Sequence, residues 1–276
     1  MRFAALLLSV AALFGAVPAL AQTPTPTPIV IGQSYVLPSE VMGQPREINV
    51  WLPPGHSEDG RRYPVLYVLD GGQAQDFHHI SGLGQLGTVN GSTRDVIVVG
   101  VASVDRRNEL ALRSSNPEIV ATYPTQGDSA RFRRFLADEV IPFVEATFPT
   151  DDTTVLMGES LAGLFVVETA LKTPALFDTY VAISPSLWWD DGALAGEASA
   201  LLAAHPPGPR TLFLSIADEG GEMQTAMDAL VDALRSSAPA DLTWAYDPRP
   251  TESHATIYHG AALDAFRRVF PAPTQP

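Results

Sequence analysis

Short apolar runs punctuate the chain at intervals: VLYVL (65–69), VIVVGVA (96–102), TTVLM (153–157), TYVAI (179–183) and TLFLSI (211–216). Continuous runs of this kind, without alternation, suit strands buried on both faces. Two earlier β-rich runs, IVIGQSYVL and REINVWL, predict an antiparallel pair, and LTWAY (242–246) predicts a last strand. Between the runs the period lengthens. Asp128 and Ser129 offer an N-cap, after which Phe132, Leu136, Val140 and Val144 trace an i, i+4 stripe. Pro142 interrupts that stripe and is expected to kink or end the helix. Residues 161–172, closed by Pro174, and the amphipathic stretches 223–235 and 260–269 predict further helices. The glycine-bearing stretch 82–91, GLGQLGTVNG, lacks dinucleotide-binding spacing and opens no clear helix. Strands alternating with helices predict an α/β domain with a mainly parallel sheet covered on both faces. Ligands of such sheets bind at the carboxyl ends of the strands.

Composition narrows the partners. The chain has 276 residues, 46% hydrophobic and 17% charged, which is an ordinary globular mixture for one large domain. A formal net charge of −14 repels polyanions, so nucleic acid and anionic membranes are not expected partners. Cysteine is absent, which excludes disulfides, thiolate metal sites and a cysteine nucleophile. At the start, Met1-Arg2 precedes the apolar FAALLLSVAALFGAV, and Ala19-Leu20-Ala21 has the small-x-small form of a signal-peptide cleavage site. Residues 1–21 are therefore expected to be an export signal, and the protein periplasmic or secreted, with no membrane insertion after cleavage. TPTPTP favours an extended leader over 22–28, and the folded domain is expected over 29–276. No oligomeric partner is read from the sequence.

The chemistry concentrates at one junction. Gly158-Glu159-Ser160-Leu161-Ala162 has the form G-x-S-x-G with Ala for the last Gly, between an apolar strand and a helix. A strand-to-helix turn this tight tolerates only small residues two positions either side of the serine, and it pushes the hydroxyl outward. An activated serine needs a base. Of six histidines, His254 lies after the last strand and before the last helix, where the base of such a fold belongs; His259 lies within or at the start of that helix. His56 and His205 sit in Pro-rich loops, and His78 and His79 are placed to border the pocket without serving as base. A third group should orient the imidazole from the loop after TLFLSI. That loop holds Asp218, Glu219 and Glu222. Glu219 is favoured by its distance from the strand end, Glu222 is the alternative acid, and a Ser–His dyad stays open. The oxyanion donors are expected to be the N–H groups of Leu161, directly after the serine, and Gly72, in the DGGQ loop after VLYVL. Trp188 and Trp189 follow TYVAI at the same edge and are candidate substrate-binding walls. No metal-ligand spacing such as H-E-x-x-H occurs, so no metal and no cofactor are expected.

VLYVLDGG, FLADEVIPFVEATFP, LMGESLAGLFVVETAL, FDTYVAISPSLWWDD, LFLSIADEGGEM and ESHATIYHGAAL stand in the order found in the putative-esterase (esterase D-like) family of α/β hydrolases. The sequence resembles that family over about residues 30–270, most specifically at Ser160, SPSLWWD and His254. The family includes bacterial siderophore (enterobactin-type) esterases, feruloyl and acetyl-xylan esterases and S-formylglutathione hydrolases. The resemblance implies an α/β-hydrolase fold and hydrolysis of a small-molecule ester through an acyl-serine, with Ser160 as nucleophile and His254 as base. The siderophore esterases resemble the chain best from Phe132 to Phe165, and one periplasmic branch of them is thought to manage without a firm triad acid. Two departures stand out. Ala162 replaces the usual Gly, and RRNELALRSS stands where the family is rich in Arg and Thr, so Arg106 is carried over as a substrate-binding residue by position only. Rival readings are an inactive hydrolase-fold binding protein, which would be marked by loss of Ser160 or His254, and an acyltransferase to a sugar or alcohol acceptor.

Overall fold

A computed structural model describes residues 25–57 and 60–272. The expected export signal and residues 22–24 lie outside the described residues. Residues 25–30 carry no secondary structure and form part of a unit separate from Ile31–Pro276. Among the described residues, no helix is long and apolar enough to cross a membrane.

The second unit is built on one eight-stranded sheet. In chain order the strands are β1 (Gln33–Leu37), β2 (Arg46–Trp51), β3 (Tyr63–Leu69), β4 (Ile97–Val101), β5 (Thr150–Glu159), β6 (Thr179–Ile183), β7 (Arg210–Ala217) and β8 (Leu242–Arg249). They lie side by side as β1-β2-β4-β3-β5-β6-β7-β8. The two edge pairings, β1 with β2 and β2 with β4, are antiparallel, and all others are parallel. The mainly parallel sheet read from the apolar runs is therefore present.

Each central strand feeds two cores, one on either face. Tyr63, Val65, Tyr67 and Leu69 of β3 join one cluster, while Leu66 and Val68 join the other. β4 alternates in the same way, with Val99 on one face and Val98 on the other. This two-sided burial is why the runs read as uninterrupted hydrophobic sequence. The larger core is roofed by α2 (Arg106–Leu110), α3 (Pro117–Thr122), α4 (Ser129–Phe135), α5 (Ile141–Thr147), α6 (Leu161–Lys172), α7 (Trp189–Ala203) and α8 (Gly221–Ser237). The other face is covered by α1 (Phe77–Asn90) and α9 (Ile257–Val269).

Two sequence expectations need refinement. Residues 82–91 open no helix of their own, but 82–90 continue α1, which begins at Phe77. Its glycines serve close packing: a Cβ on Gly84 would lie 3.0 Å from the Trp51 ring, and one on Gly87 would lie 1.9 Å from Thr93 Oγ1. Small residues let this helix approach the sheet, and they also erase the periodic apolar signal. The helix stripe from Phe132 to Val144 is interrupted upstream of Pro142. One π-helical turn, Leu136–Val140, joins α4 to α5, and Pro142 sits directly after it in the first turn of α5, so the helical path bulges rather than ends.

Candidate active site

The serine at the end of β5 is held by backbone contacts on two sides. Ser160 has φ 61° and ψ −121°, a conformation that costs a non-glycine residue about 1–3 kcal/mol. Its N–H donates to the Ile183 carbonyl at 3.0 Å, and its carbonyl accepts from Leu164 N–H at 3.0 Å and Ser186 N–H at 2.9 Å. The elbow closes because its flanks are small. A Cβ on Gly158 would lie 2.7 Å from the Ala162 Cβ, so a methyl at 162 is accommodated only because 158 has none. Gly163 leaves similar room beside the Ile183 carbonyl and Pro185. This accounts for Ala in the last place of the motif.

Two loops bring titratable groups to that hydroxyl. The loop after β8 carries His254, whose Nε2 lies 3.0 Å from Ser160 Oγ. The loop after β7 carries Glu219, whose Oε1 lies 2.9 Å from His254 Nδ1. The loops are tied together by the Asp218 N–H donating to the Glu252 carbonyl at 3.0 Å. The histidine turn is closed by Ile257 N–H on the Ser253 carbonyl. Gly220 and Gly221, at φ 60° and 52°, turn the acidic loop into α8. A carboxylate facing Nδ1 only accepts, so Nδ1 carries the imidazole proton and Nε2 presents its lone pair to the serine O–H. Glu219 holds the His254 pKa above its ordinary value through that hydrogen bond, assisted by the charge of Glu159 and opposed by burial and by Arg106. Such an arrangement can draw a proton from the hydroxyl and stabilise the resulting imidazolium.

The remaining expected residues fall in different places. Glu222 does not face the imidazole; it lines a neighbouring cleft of about 560 Å³ with Trp188, Asn116, Glu118 and Asp191. Trp188 lines both that cleft and the one over the serine, which holds about 490 Å³ between Ser160, Ser186, Asp218, Glu219, Met223 and His254. Trp189 is a correction. Instead of forming a wall, it is 1% exposed, donates its indole N–H to the Leu112 carbonyl at 2.8 Å and stacks on Tyr123. The following Asp190, Asp191 and Gly192 adopt left-handed backbone, which kinks the chain at the start of α7. Asp190 is fastened there by Ser114, Ser115 and Asn116, whose hydrogen bonds keep its pKa low despite burial.

The Leu161 N–H opens α6, where a first-turn donor has no partner within the helix. The Gly72 N–H is not open: it donates to Gln75 Oε1 at 2.9 Å, which also receives the Ser103 N–H at 3.3 Å. The expectation of a ready donor at Gly72 is corrected to a donor covered by the exposed Gln75 side chain. Arg106 is fixed by Asp70 at 2.7 Å, beside Glu159, Asp76 and His254. Its loop rests on the buried Arg46–Glu109 pair, both nitrogens of which lie 2.7 Å from the carboxylate. His79 and His259 face each other at 3.0 Å over a separate groove. Glu159, Asp76 and Gln75 were given no role by the sequence; Glu159 stood in plain view inside the serine motif. Among the described residues, no group of three or more His, Cys, Asp or Glu is arranged to hold a metal.

Comparison with known proteins bears on the family and the fold. Residues 39–245 match the family described as Putative esterase. The chain is 37% identical over 90 residues to a siderophore enterobactin esterase of Emericella nidulans, covering 29% of this chain and 30% of that protein. It is 27% identical over 199 residues to a siderophore triacetylfusarinine C esterase of Aspergillus fumigatus, covering 65% and 64%. The alignments thus span less than two thirds of either relative. Among solved structures, an IroE-like serine hydrolase from Shewanella oneidensis superposes with a TM-score of 0.77 at 28% identity, over 87% of this chain and 80% of that one. The siderophore hydrolase EstB from Aspergillus nidulans shares the fold, with a TM-score of 0.75 at 19% identity over 92% and 100%. The strained serine, its histidine and the mainly parallel sheet that carries them thus sit in a chain that belongs to the Putative esterase family and has the α/β-hydrolase fold.

Proposed function

We propose that this protein is an exported serine esterase that cleaves carboxylic esters, of the siderophore or phenolic type, through an acyl-serine. Ser160 is the nucleophile, His254 the general base and acid, and Glu219 the group that fixes the imidazole. As Ser160 Oγ attacks the ester carbonyl, His254 Nε2 takes its proton, and the imidazolium is steadied by Glu219. The oxyanion of the tetrahedral intermediate is received by the N–H of Leu161. The N–H of Gly72 joins it once the Gln75 amide swings away. His254 then protonates the departing alcohol, and water activated by the same nitrogen releases the acid. One oxyanion donor typically contributes about 3–4 kcal/mol to such a barrier.

The observation that carries the reading is the continuous contact Ser160–His254–Glu219 at 3.0 and 2.9 Å, on a serine held in left-handed backbone. The siderophore esterases among the relatives support the choice of ester class. The test is Ser160→Ala assayed on p-nitrophenyl butyrate and a catecholate trilactone. Hydrolysis of both is expected to vanish with the fold intact by circular dichroism. Undiminished turnover would overturn the nucleophile assignment.

A further inference from the structure

The residue before the nucleophile has geometry of its own. Glu159 Oε1 lies 3.3 Å from His254 Nε2, the same nitrogen that faces Ser160 Oγ at 3.0 Å. The imidazole therefore lies between two carboxylates, Glu219 at Nδ1 and Glu159 at Nε2. Glu159 is well covered, with a side chain 18% exposed. The charged and titratable groups around it come from several elements: Asp70 and Asp76 from the loop after β3, Arg106 from α2, Glu219 from the loop after β7, and Tyr258 from α9. Arg106 is tied to Asp70, and the buried Tyr258 hydroxyl makes no hydrogen bond.

On the reading that Ser160 and His254 are nucleophile and base, we infer that Glu159 is a positioning residue that acts through His254. Its carboxylate closes on the Nε2 edge of the ring, steadies the imidazolium formed when Ser160 gives up its proton, and keeps that edge occupied by a proton until the pH is high enough to free it. The proton count is simple. With one proton shared across the contact, either Glu159 is neutral and donates to Nε2, or Nε2–H donates to the Glu159 carboxylate. In both forms the lone pair that Ser160 needs is blocked. Loss of that proton leaves Nε2 free, and during the attack the serine proton arrives at a nitrogen already facing an anion. Burial lifts the Glu159 pKa to about 7, lowered in part by His254 and Arg106 and raised by Asp76 and Glu219, so the sharing falls in the working pH range. The two sites titrate as a pair.

The experiment is the pH dependence of kcat/KM for p-nitrophenyl butyrate in wild type, Glu159→Gln and Glu159→Asp. Glu159→Gln keeps shape and hydrogen bonding but removes the charge. Its acid limb is expected to move about one pH unit lower. Because proton-transfer rates follow base strength only in part, its high-pH plateau should fall on the order of threefold, in kcat rather than KM. Glu159→Asp is expected to recover most of the wild-type limb. The downfield Nδ1 proton of His254, followed by NMR, should titrate with the same displacement. An unmoved acid limb and an unmoved NMR titration in Glu159→Gln would overturn the inference. If instead Ser160→Ala kept full activity, it is the esterase reading that would fail.

Discussion

Two histidines, His254 and His79, each meet a partner atom at 3.0 Å, and their surroundings differ. His254 reaches Ser160 with one nitrogen and Glu219 with the other. His79 meets the imidazole of His259, stacked at 20°, and the Tyr258 ring edge-on, with no carboxylate hydrogen-bonded to it among the described residues. The carboxylate makes the difference. It raises the pKa of His254, whereas burial and the neighbouring ring lower that of His79. A contact distance alone therefore does not mark a general base; what lies behind the ring decides whether it can carry a proton during a reaction.

The sharpest way to break this comparison is to remove each ring. His254→Ala is expected to lower kcat for p-nitrophenyl butyrate on the order of 10⁴-fold or more, while His79→Ala and His259→Ala stay within about twofold. Equal losses in all three would erase the distinction. Glu219→Gln should follow, with a fall of about 10²–10⁴-fold through loss of the favoured tautomer and of imidazolium stabilisation. Glu222→Gln, which removes a charge from the adjoining cleft, should be near wild type, and parity between the two would favour a Ser–His dyad. The tryptophans give a smaller contrast. Trp189→Ala empties a buried site and should destabilise by about 3–5 kcal/mol in urea titrations. Trp188→Ala should leave the urea midpoint nearly unchanged and alter KM several-fold across a panel of acyl groups.

The smallest effect lies in the pH dependence of stability. A raised histidine pKa means the folded state binds its proton more tightly than the unfolded chain. The stabilisation from His254 is thus complete below the ordinary histidine pKa and is lost as pH rises through the folded value. Glu159 has the same sign, its contribution fading as pH rises from the ordinary glutamate range through about 7. His79, with a lowered pKa, has the opposite sign and costs stability as pH falls through the ordinary histidine range. Melting temperatures from pH 5 to 9 should accordingly show His254→Ala weakening most at the acid end relative to wild type, and His79→Ala gaining there.

Much of this was legible because buried parallel strands leave no polar alternation to misread. VLYVL and VIVVGVA name β3 and β4 directly, and the elbow follows from a lone serine between small residues. Helix α1 was hidden by the glycines that let it lie close to Trp51. The two tryptophans are indistinguishable in sequence, since the inward ring is marked only by its contacts with Leu112 and Tyr123, far away in the chain. The covering of Gly72 by Gln75 is a side-chain contact three residues apart, with no spacing rule that would announce it. Glu219 was favoured for its reach from the strand end, although three carboxylates share its loop.

The most direct measurement is covalent labelling with a fluorophosphonate, mapped by mass spectrometry in wild type, His254→Ala, His79→Ala and His259→Ala. A single adduct on Ser160 is expected, formed at wild-type rates in both mutants of the imidazole pair and almost abolished in His254→Ala. An adduct on another residue, or undiminished labelling without His254, would contradict the assignment of Ser160 as nucleophile and His254 as base.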